Sequence, residues 1–377
     1  MLVMVKAAFI HSPELERFNY PPDCPFNTQR ASRTRKILAL MGLLGGEGRS
    51  EVAPAPAERL VLKKFHSARY LHALKEASED RWDAKAINMG IGTSDCPVFK
   101  DMYDYSVWAC GATLTGAKLI LSGSVDIAFN PSGGLHHAGP ELASGFCYIN
   151  DMALGCMVLA EAGKRILYLD VDVHHGDGVQ NAFYDRDDVM TVSFHESGRT
   201  LFPGTGFEDE IGTGKGKGYC VNVPLPVGTY DQAYMLAFES IALPLIGAYN
   251  PDVIVFELGA DALAGDPLAH LQLTNNTYAE IIKHLLGFKK PILAAGGGGY
   301  NIGNTVRAWA LAWSVFCGAA DDQNLGAGGV MLETTDWQGG LRDRALAVSN
   351  QQRDFVMPYV QAAIEAVKEN VFRFHGL

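Results

Sequence analysis

Runs rich in β-branched residues alternate with longer helical stretches along most of this chain, and that alternation confines it to one class of architecture. The strand-like runs are Val3–Ile10, Val125–Asn130, Arg165–Val173, Val189–His195, Asp252–Leu258 and Pro291–Ala295. Helical patterns fill the intervals at Tyr103–Leu121, Met152–Ala162, Asp231–Ala248, Tyr278–Phe288 and Thr305–Phe316. Such alternation predicts an α/β fold, a single open, mainly parallel sheet with helices on both faces. Val356, Val360, Ile364 and Val367 recur at helical spacing and predict a closing helix packed on the core. Gly42–Ala57, rich in Gly, Ala and Pro, reads as a surface loop and not a linker. No internal repeat divides the chain, so residues 1–377 are expected to form one domain.

Composition narrows the partners. With 48% hydrophobic and 19% charged residues the chain can fill a large core. A net charge of -11 offers no basic stripe to a nucleic acid. An acidic surface tolerates a cationic substrate, or simply keeps the protein soluble. Cys24, Cys96, Cys110, Cys147, Cys156, Cys220 and Cys317 are odd in number, widely spaced and free of any C-x-x-C pair. That argues against a disulfide framework and for a reducing, cytoplasmic location. Met1–Ile10 lacks a charged leader and cleavage site and reads as a first strand. No apolar run reaches the ~18 residues of a membrane span.

In open α/β sheets, ligands bind beyond the carboxyl ends of the strands. Here those ends read His136-His137, Asp170/Asp172/His174, Ser193/His195, Asp261 and Gly296–Tyr300. In Arg165–Gly178, RILYLDVDVHHGDG, alternate residues share a face. Leu167, Leu169, Val171 and Val173 make one face apolar; the other begins with Ile166 and Tyr168 and turns polar at Asp170, Asp172 and His174. So much buried charge calls for a cation. A tetrahedral catalytic zinc takes three protein ligands and one open position. Asp172 and His174 offer two; Asp261 is either the third or a helix cap. The adjacent His136 and His137 sit in a glycine-rich loop where both can reach a metal-bound water, with Asp170 and Asp177 left to orient them. Tyr300 follows four glycines, where a phenol could serve a developing oxyanion or merely pack over the turn. A G-x-S-x-G elbow, a dinucleotide fingerprint and a phosphate loop are all missing; GTGKGKG at 212–218 reads as a flexible surface turn.

Together the stretches PSGGLHHA, ASGFCYIND, LDVDVHHGDGVQNAFY, LFPGTG, GKGKGYCVNVPLP, ELGADALAGDPL and GGGGYNIGNTVRAW resemble the arginase/deacetylase superfamily, specifically its histone deacetylase-like branch. The resemblance implies a zinc-dependent hydrolase that cleaves acetyl from lysine-type side chains in peptides or proteins. It makes Asp172, His174 and Asp261 the zinc ligands, His137 the general base and acid, His136 its electrostatic neighbour, and Tyr300 the group that polarises the carbonyl. Phe146 and Phe202 would wall a tunnel, and the Gly145 carbonyl would accept the substrate amide N–H. Asp95 would grip the peptide backbone at the rim, and Arg30 would line an acetate channel. Leu268 stands at the tunnel mouth, where many relatives have methionine. Structural potassium is implied at Asp170, Asp172, His174, Ser193 and Phe194, and at a second site of Phe183, Arg186, Val189 and Tyr219. Gly176 and Gly259 stand where a dinuclear manganese branch carries further carboxylates, which argues against ureohydrolase chemistry. The readings left open are small acetylated amines such as acetylpolyamines as substrates, and a catalytically silent binding protein. A His/Asp₂ donor set also accepts ferrous iron.

Overall fold

The computed structural model describes residues 5–319 and 340–377. Val3 and Met4 of the expected first strand lie outside the described residues. Eight parallel strands are described: β1 (Ala7–Ile10), β2 (Arg49–Val52), β3 (Ile127–Asn130), β4 (Ile166–Asp170), β5 (Val189–Glu196), β6 (Cys220–Leu225), β7 (Val253–Glu257) and β8 (Ile292–Ala295). They form one sheet in the order β2-β1-β3-β8-β7-β4-β5-β6. Every strand but β2 is buried throughout, which explains why the runs read as continuously apolar: a parallel sheet is covered on both faces.

The helices are α1 (Gln29–Leu40), α2 (Arg59–Leu62), α3 (Ala68–Ser78), α4 (Ala84–Ile87), α5 (Met102–Leu121), α6 (Asp151–Glu161), α7 (Asp177–Phe183), α8 (Asp231–Tyr249), α9 (Asn275–Gly287), α10 (Ile302–Phe316) and α11 (Asn350–Val371). They divide the core into two layers. Leu167, Leu169, Val171 and Val173 pack with α8, α9, α10 and α11 on one side, whereas Ile166 and Tyr168 pack with α5 and α6 on the other. The alternation read from β4 therefore holds. The closing helix is α11, with Val356, Val360, Ile364 and Val367 all buried. Among the described residues no helix is long and apolar enough to cross a membrane.

Three expectations need correction. Gly42–Ala57 is not loop throughout, since it contains β2, an edge strand paired with β1 from Ala7↔Arg49 to Ile10↔Val52. Its side chains are half-buried or exposed, so it lacks the apolar signature of the inner strands. The sixth strand in chain order, β6, is absent from the expected strands, although it follows directly on the 212–218 turn. The 212–218 turn is packed and not free: a Cβ on Gly216 would lie 2.6 Å from the Arg186 backbone nitrogen.

Candidate active site

The chain order brings four neighbouring strand ends to one spot. β3, β8, β7 and β4 lie side by side, and their carboxyl ends deliver His136-His137, Tyr300, Asp261 and Asp172/His174 respectively. β4 ends at Asp170, so Asp172 and His174 stand just beyond it in a bend, where the Asp172 N–H donates to Asp170 Oδ1 (3.0 Å). There the alternation continues. His174 turns towards Asp261, while His175 turns away to Thr205 (2.8 Å) and Gln180 (2.9 Å).

Asp172, His174 and Asp261 each offer one ligating atom, and these atoms lie within 4.8 Å of one another. His174 Nδ1 sits 3.2 Å from Asp172 Oδ1 and 3.1 Å from Asp261 Oδ2. Backbone N–H groups fix the carboxylates: Gly298 donates to Asp172 Oδ2 (2.7 Å), His174 to Asp172 Oδ1 (2.9 Å) and Val173 to Asp261 Oδ1 (2.9 Å). Glycine is required to admit them. A Cβ on Gly259 would meet Asp172 Oδ2 at 1.9 Å, and one on Gly298 would meet Asp261 Oδ2 at 1.9 Å.

The electrostatics call for a cation. Burial, with Asp172 alongside, lifts the Asp261 carboxyl to about 7. Burial opposes a charged His174, yet hydrogen bonds to Asp172 and Asp261 raise it to about 10. Two buried carboxylates thus crowd one imidazole, and the strain of holding both charged shows in the raised Asp261 carboxyl. A divalent ion bound by one imidazole and two carboxylates supplies the positive charge that relieves it. The donor set and the cradle fit such an ion.

Facing this group is the imidazole pair. His136 Nδ1 contacts Asp170 Oδ2 at 2.9 Å, and His137 Nδ1 contacts Asp177 Oδ1 at 2.7 Å. Their Nε2 atoms converge at 3.0 Å. Burial disfavours the His136 cation, but Asp170, Glu257 and Asp172 outweigh it and hold its pKa well above normal. Burial and the charge on His136 push His137 down to about 4. The pair is therefore polarised, with His136 donating and His137 carrying a lone pair on Nε2. The His137 ring lies 5.8 Å from that of His174, and the Tyr300 ring lies 6.5 Å from His174 on another side. Burial, then Asp261 and Asp172, raise the Tyr300 phenol well above its usual pKa, so it stays a donor.

Phe202 lies 5.0 Å from the His137 ring and Phe146 lies 5.7 Å from the Tyr300 ring, flanking the site as two aromatic walls. Gly145 leaves the space between them, since a Cβ there would meet His137 Cδ2 at 2.4 Å. Its carbonyl accepts a weak bond from Cys147 Sγ at 3.2 Å. Asp95 spends its carboxylate inside the rim, accepting from the Gly145 N–H (2.9 Å) and the Thr93 hydroxyl (2.8 Å). Leu268 is half-buried on the 264–270 loop. Arg30 is buried between Phe26 and Trp309 and donates to the Gly299 carbonyl at 2.8 Å. Ser193 pairs with Asp170 across β4 and β5, beside Phe194. Phe183, Arg186, Val189 and Tyr219 gather elsewhere, at the amino ends of β5 and β6. There Arg186 N–H donates to the Phe183 carbonyl and Thr191 N–H to that of Tyr219.

Four residues escaped the sequence reading. Asp151 accepts from the Leu135 N–H (2.7 Å), the Gly134 N–H and the Thr113 hydroxyl, and the Asn150 amide donates to the His136 and Ala138 carbonyls at 3.0 and 2.9 Å. Both brace the histidine loop from the start of α6, and their signal was a polar pair inside an otherwise apolar stretch. Tyr168 donates to Asp170 Oδ2 at 2.6 Å. Glu257 lies 3.8 Å from His136 Nδ1, and neither of its oxygens has a hydrogen-bond partner. Burial raises its carboxyl well above the ordinary range, against the opposing pull of His136. A lone carboxylate closing an apolar strand was the available clue.

With this geometry in hand, comparison with known proteins is decisive. The sequence matches the histone deacetylase domain over residues 24–316. The chain belongs to the histone deacetylase domain family. Similar members include Histone deacetylase 2 of Oryza sativa subsp. japonica, 40% identical over 318 residues, or 83% of this chain and 62% of that protein. Histone deacetylase 8 of Xenopus tropicalis is 40% identical over 314 residues, covering 82% of this chain and 84% of that one. The chain thus spans under two thirds of the rice protein. Among solved structures, an HDAC homolog complexed with SAHA superimposes with a TM-score of 0.84 at 32% identity, over 97% of this chain and 100% of that one. Another, from Aquifex aeolicus, gives 0.82 at 33% identity, over 95% and 100%. The histone deacetylase family places the sheet described above in the arginase/deacetylase fold.

Proposed function

We propose that this chain hydrolyses the amide of an acetyl-lysine-type side chain to acetate and free amine. The observation that carries the reading is the convergence of Asp172, His174 and Asp261, facing a polarised imidazole pair and a phenol. The names of the relatives support it.

Asp172, His174 and Asp261 would hold zinc, with ferrous iron accepted by the same donors. Zinc bound there would lower the pKa of a coordinated water from ~15.7 towards ~7 and polarise the acetyl carbonyl. His137 takes the proton of the attacking water at Nε2, held ready by Asp177 at Nδ1. It later returns a proton to the departing amine nitrogen. His136, kept cationic by Asp170, offsets negative charge as it builds. Tyr300 donates its hydroxyl hydrogen to the carbonyl oxygen in the same phase. Phe146 and Phe202 hold the lysine methylenes between their faces and exclude water. Arg30 lies behind the Gly299 turn on the path proposed for acetate. Asp95 acts here by holding Gly145, and a grip on a peptide backbone would use what remains of its carboxylate.

Structural potassium belongs to the same reading. Site one uses Asp170, Asp172, His174, Ser193 and Phe194, supported by the Asp170↔Ser193 pairing, and site two uses the Phe183, Arg186, Val189 and Tyr219 carbonyls. The seven free thiols support a reducing, cytoplasmic setting. One kinetic screen of metal-reconstituted protein tests the proposal, using acetyl-lysine peptides, longer acyl-lysine peptides and acetylpolyamines. Acetyl-lysine peptides should show the highest kcat/KM. Turnover confined to acetylpolyamines would shift the substrate class, and no turnover of any of them would favour a silent binding protein.

A further inference from the structure

Three consecutive residues ahead of α10 are each held by a different buried charged side chain. Gly298 N–H donates to Asp172 Oδ2 (2.7 Å), the Gly299 carbonyl accepts from Arg30 (2.8 Å), and Tyr300 N–H donates to Asp266 Oδ2 (2.7 Å). Gly297 and Gly299 have φ of +109° and +126°, so the turn has little stiffness of its own against sliding or twisting. These three anchors hold the backbone from which the Tyr300 phenol projects. Two belong to groups already given roles; Asp266 does not.

Asp266 is 8% exposed, and its other oxygen is also spoken for. Oδ1 accepts from the Leu268 N–H at 3.0 Å, while Oδ2 takes a second, longer bond of 3.3 Å from Asn301. Around it the 264–268 loop is stitched to the start of α10 by Asn304 to the Ala264 carbonyl (3.1 Å) and Asn301 to the Gly265 carbonyl (3.4 Å). One carboxylate therefore joins the tunnel-mouth residue Leu268 to the backbone of Tyr300.

We infer that Asp266 is a positioning residue for the reaction: it aims the Tyr300 hydroxyl at the substrate carbonyl and couples that aim to the mouth loop. This rests on the role proposed above for Tyr300. Asparagine at 266 keeps the size but turns one acceptor into a donor, which must face either the Leu268 N–H or the Tyr300 N–H. Misplacing a reacting group by about 1 Å costs on the order of 10²-fold in rate.

The test is a double-mutant cycle on zinc-loaded protein with an acetyl-lysine peptide, using D266N, Y300F and the pair. D266N should lower kcat roughly 10–100-fold with KM changed less than about threefold and bound zinc near wild type, while the melting temperature falls by only a few degrees. In the Y300F background, D266N should cost less than about threefold, because the phenol it aims is gone. Equal loss in both backgrounds, or unchanged kcat in D266N, would overturn the inference. Should D266N fold poorly, Asp266→Ser, which retains one acceptor, carries the same cycle and the same criteria. A Y300F protein as fast as wild type would instead defeat the proposed role of Tyr300, and so is distinguishable from failure of the Asp266 assignment.

Discussion

The floor of the site and its rim are built by opposite means. On the floor, Asp170, Asp172 and Asp261 are 0%, 1% and 0% exposed and stand at or just beyond strand ends in the middle of an eight-stranded sheet. At the rim, Phe202 is 43% exposed and sits with Gly145, Phe146 and Leu268 on loops. The difference teaches that charge placement is entrusted to the sheet, where geometry is over-determined, and contact with substrate to segments that can vary. Substitutions on the floor should abolish chemistry without altering recognition. Those at the rim should do the reverse.

The largest effect expected is on the floor. His137→Ala should reduce kcat about 10²–10⁴-fold, since that is the usual worth of positioned proton transfer, with metal content unchanged. A folded variant of normal kcat would break the comparison at its base. Next comes Gly298→Ala, whose Cβ would lie 1.9 Å from Asp261 Oδ2. Divalent-metal affinity should fall roughly 10–100-fold by competition titration, as when a ligand loses its support. At the rim, Phe202→Ala should raise KM about tenfold and leave kcat within about twofold, the worth of a few methylene contacts in a pocket. A kcat defect as large as that of His137→Ala would erase the division of labour.

The smallest effect concerns the brace behind the histidine loop. His66 Nε2 accepts the Asn150 N–H at 3.0 Å, and burial lowers its pKa from 6.5 to about 4. The unfolded chain then binds a proton that the native state refuses between those values. Stability is therefore intact above pH 6.5 and declines as pH falls towards 4. Urea unfolding should show a loss on the order of 1 kcal/mol from His66 between pH 7.5 and 5.5, and less in His66→Gln. An identical slope in both proteins would contradict the lowered pKa of His66 in the native state.

The floor was legible in the sequence because strands impose a period of two, so Asp170, Asp172 and His174 announce a shared face, and Tyr300 is marked by its four glycines. β2 and β6 were less legible, since the edge strand β2 carries Arg49, Ser50 and Glu51 and is buried on neither face. The roles of Asp151, Asn150 and Asp266 were not readable for a different reason, even where a polar pair marked the first two. Each acts on backbone groups more than a dozen residues away, and local pattern carries no trace of such a partner. Glu257 was visible as an odd carboxylate in an apolar strand, but its meaning needed the position of His136.

The central claim is that one divalent ion, held by Asp172, His174 and Asp261, is indispensable to amide hydrolysis by this chain. Acetate released from an acetyl-lysine peptide should be measured for zinc-loaded protein, for the same protein stripped by chelator, and after zinc is restored. Release should vanish on stripping and return with one equivalent of zinc. Undiminished release from metal-free protein would contradict it.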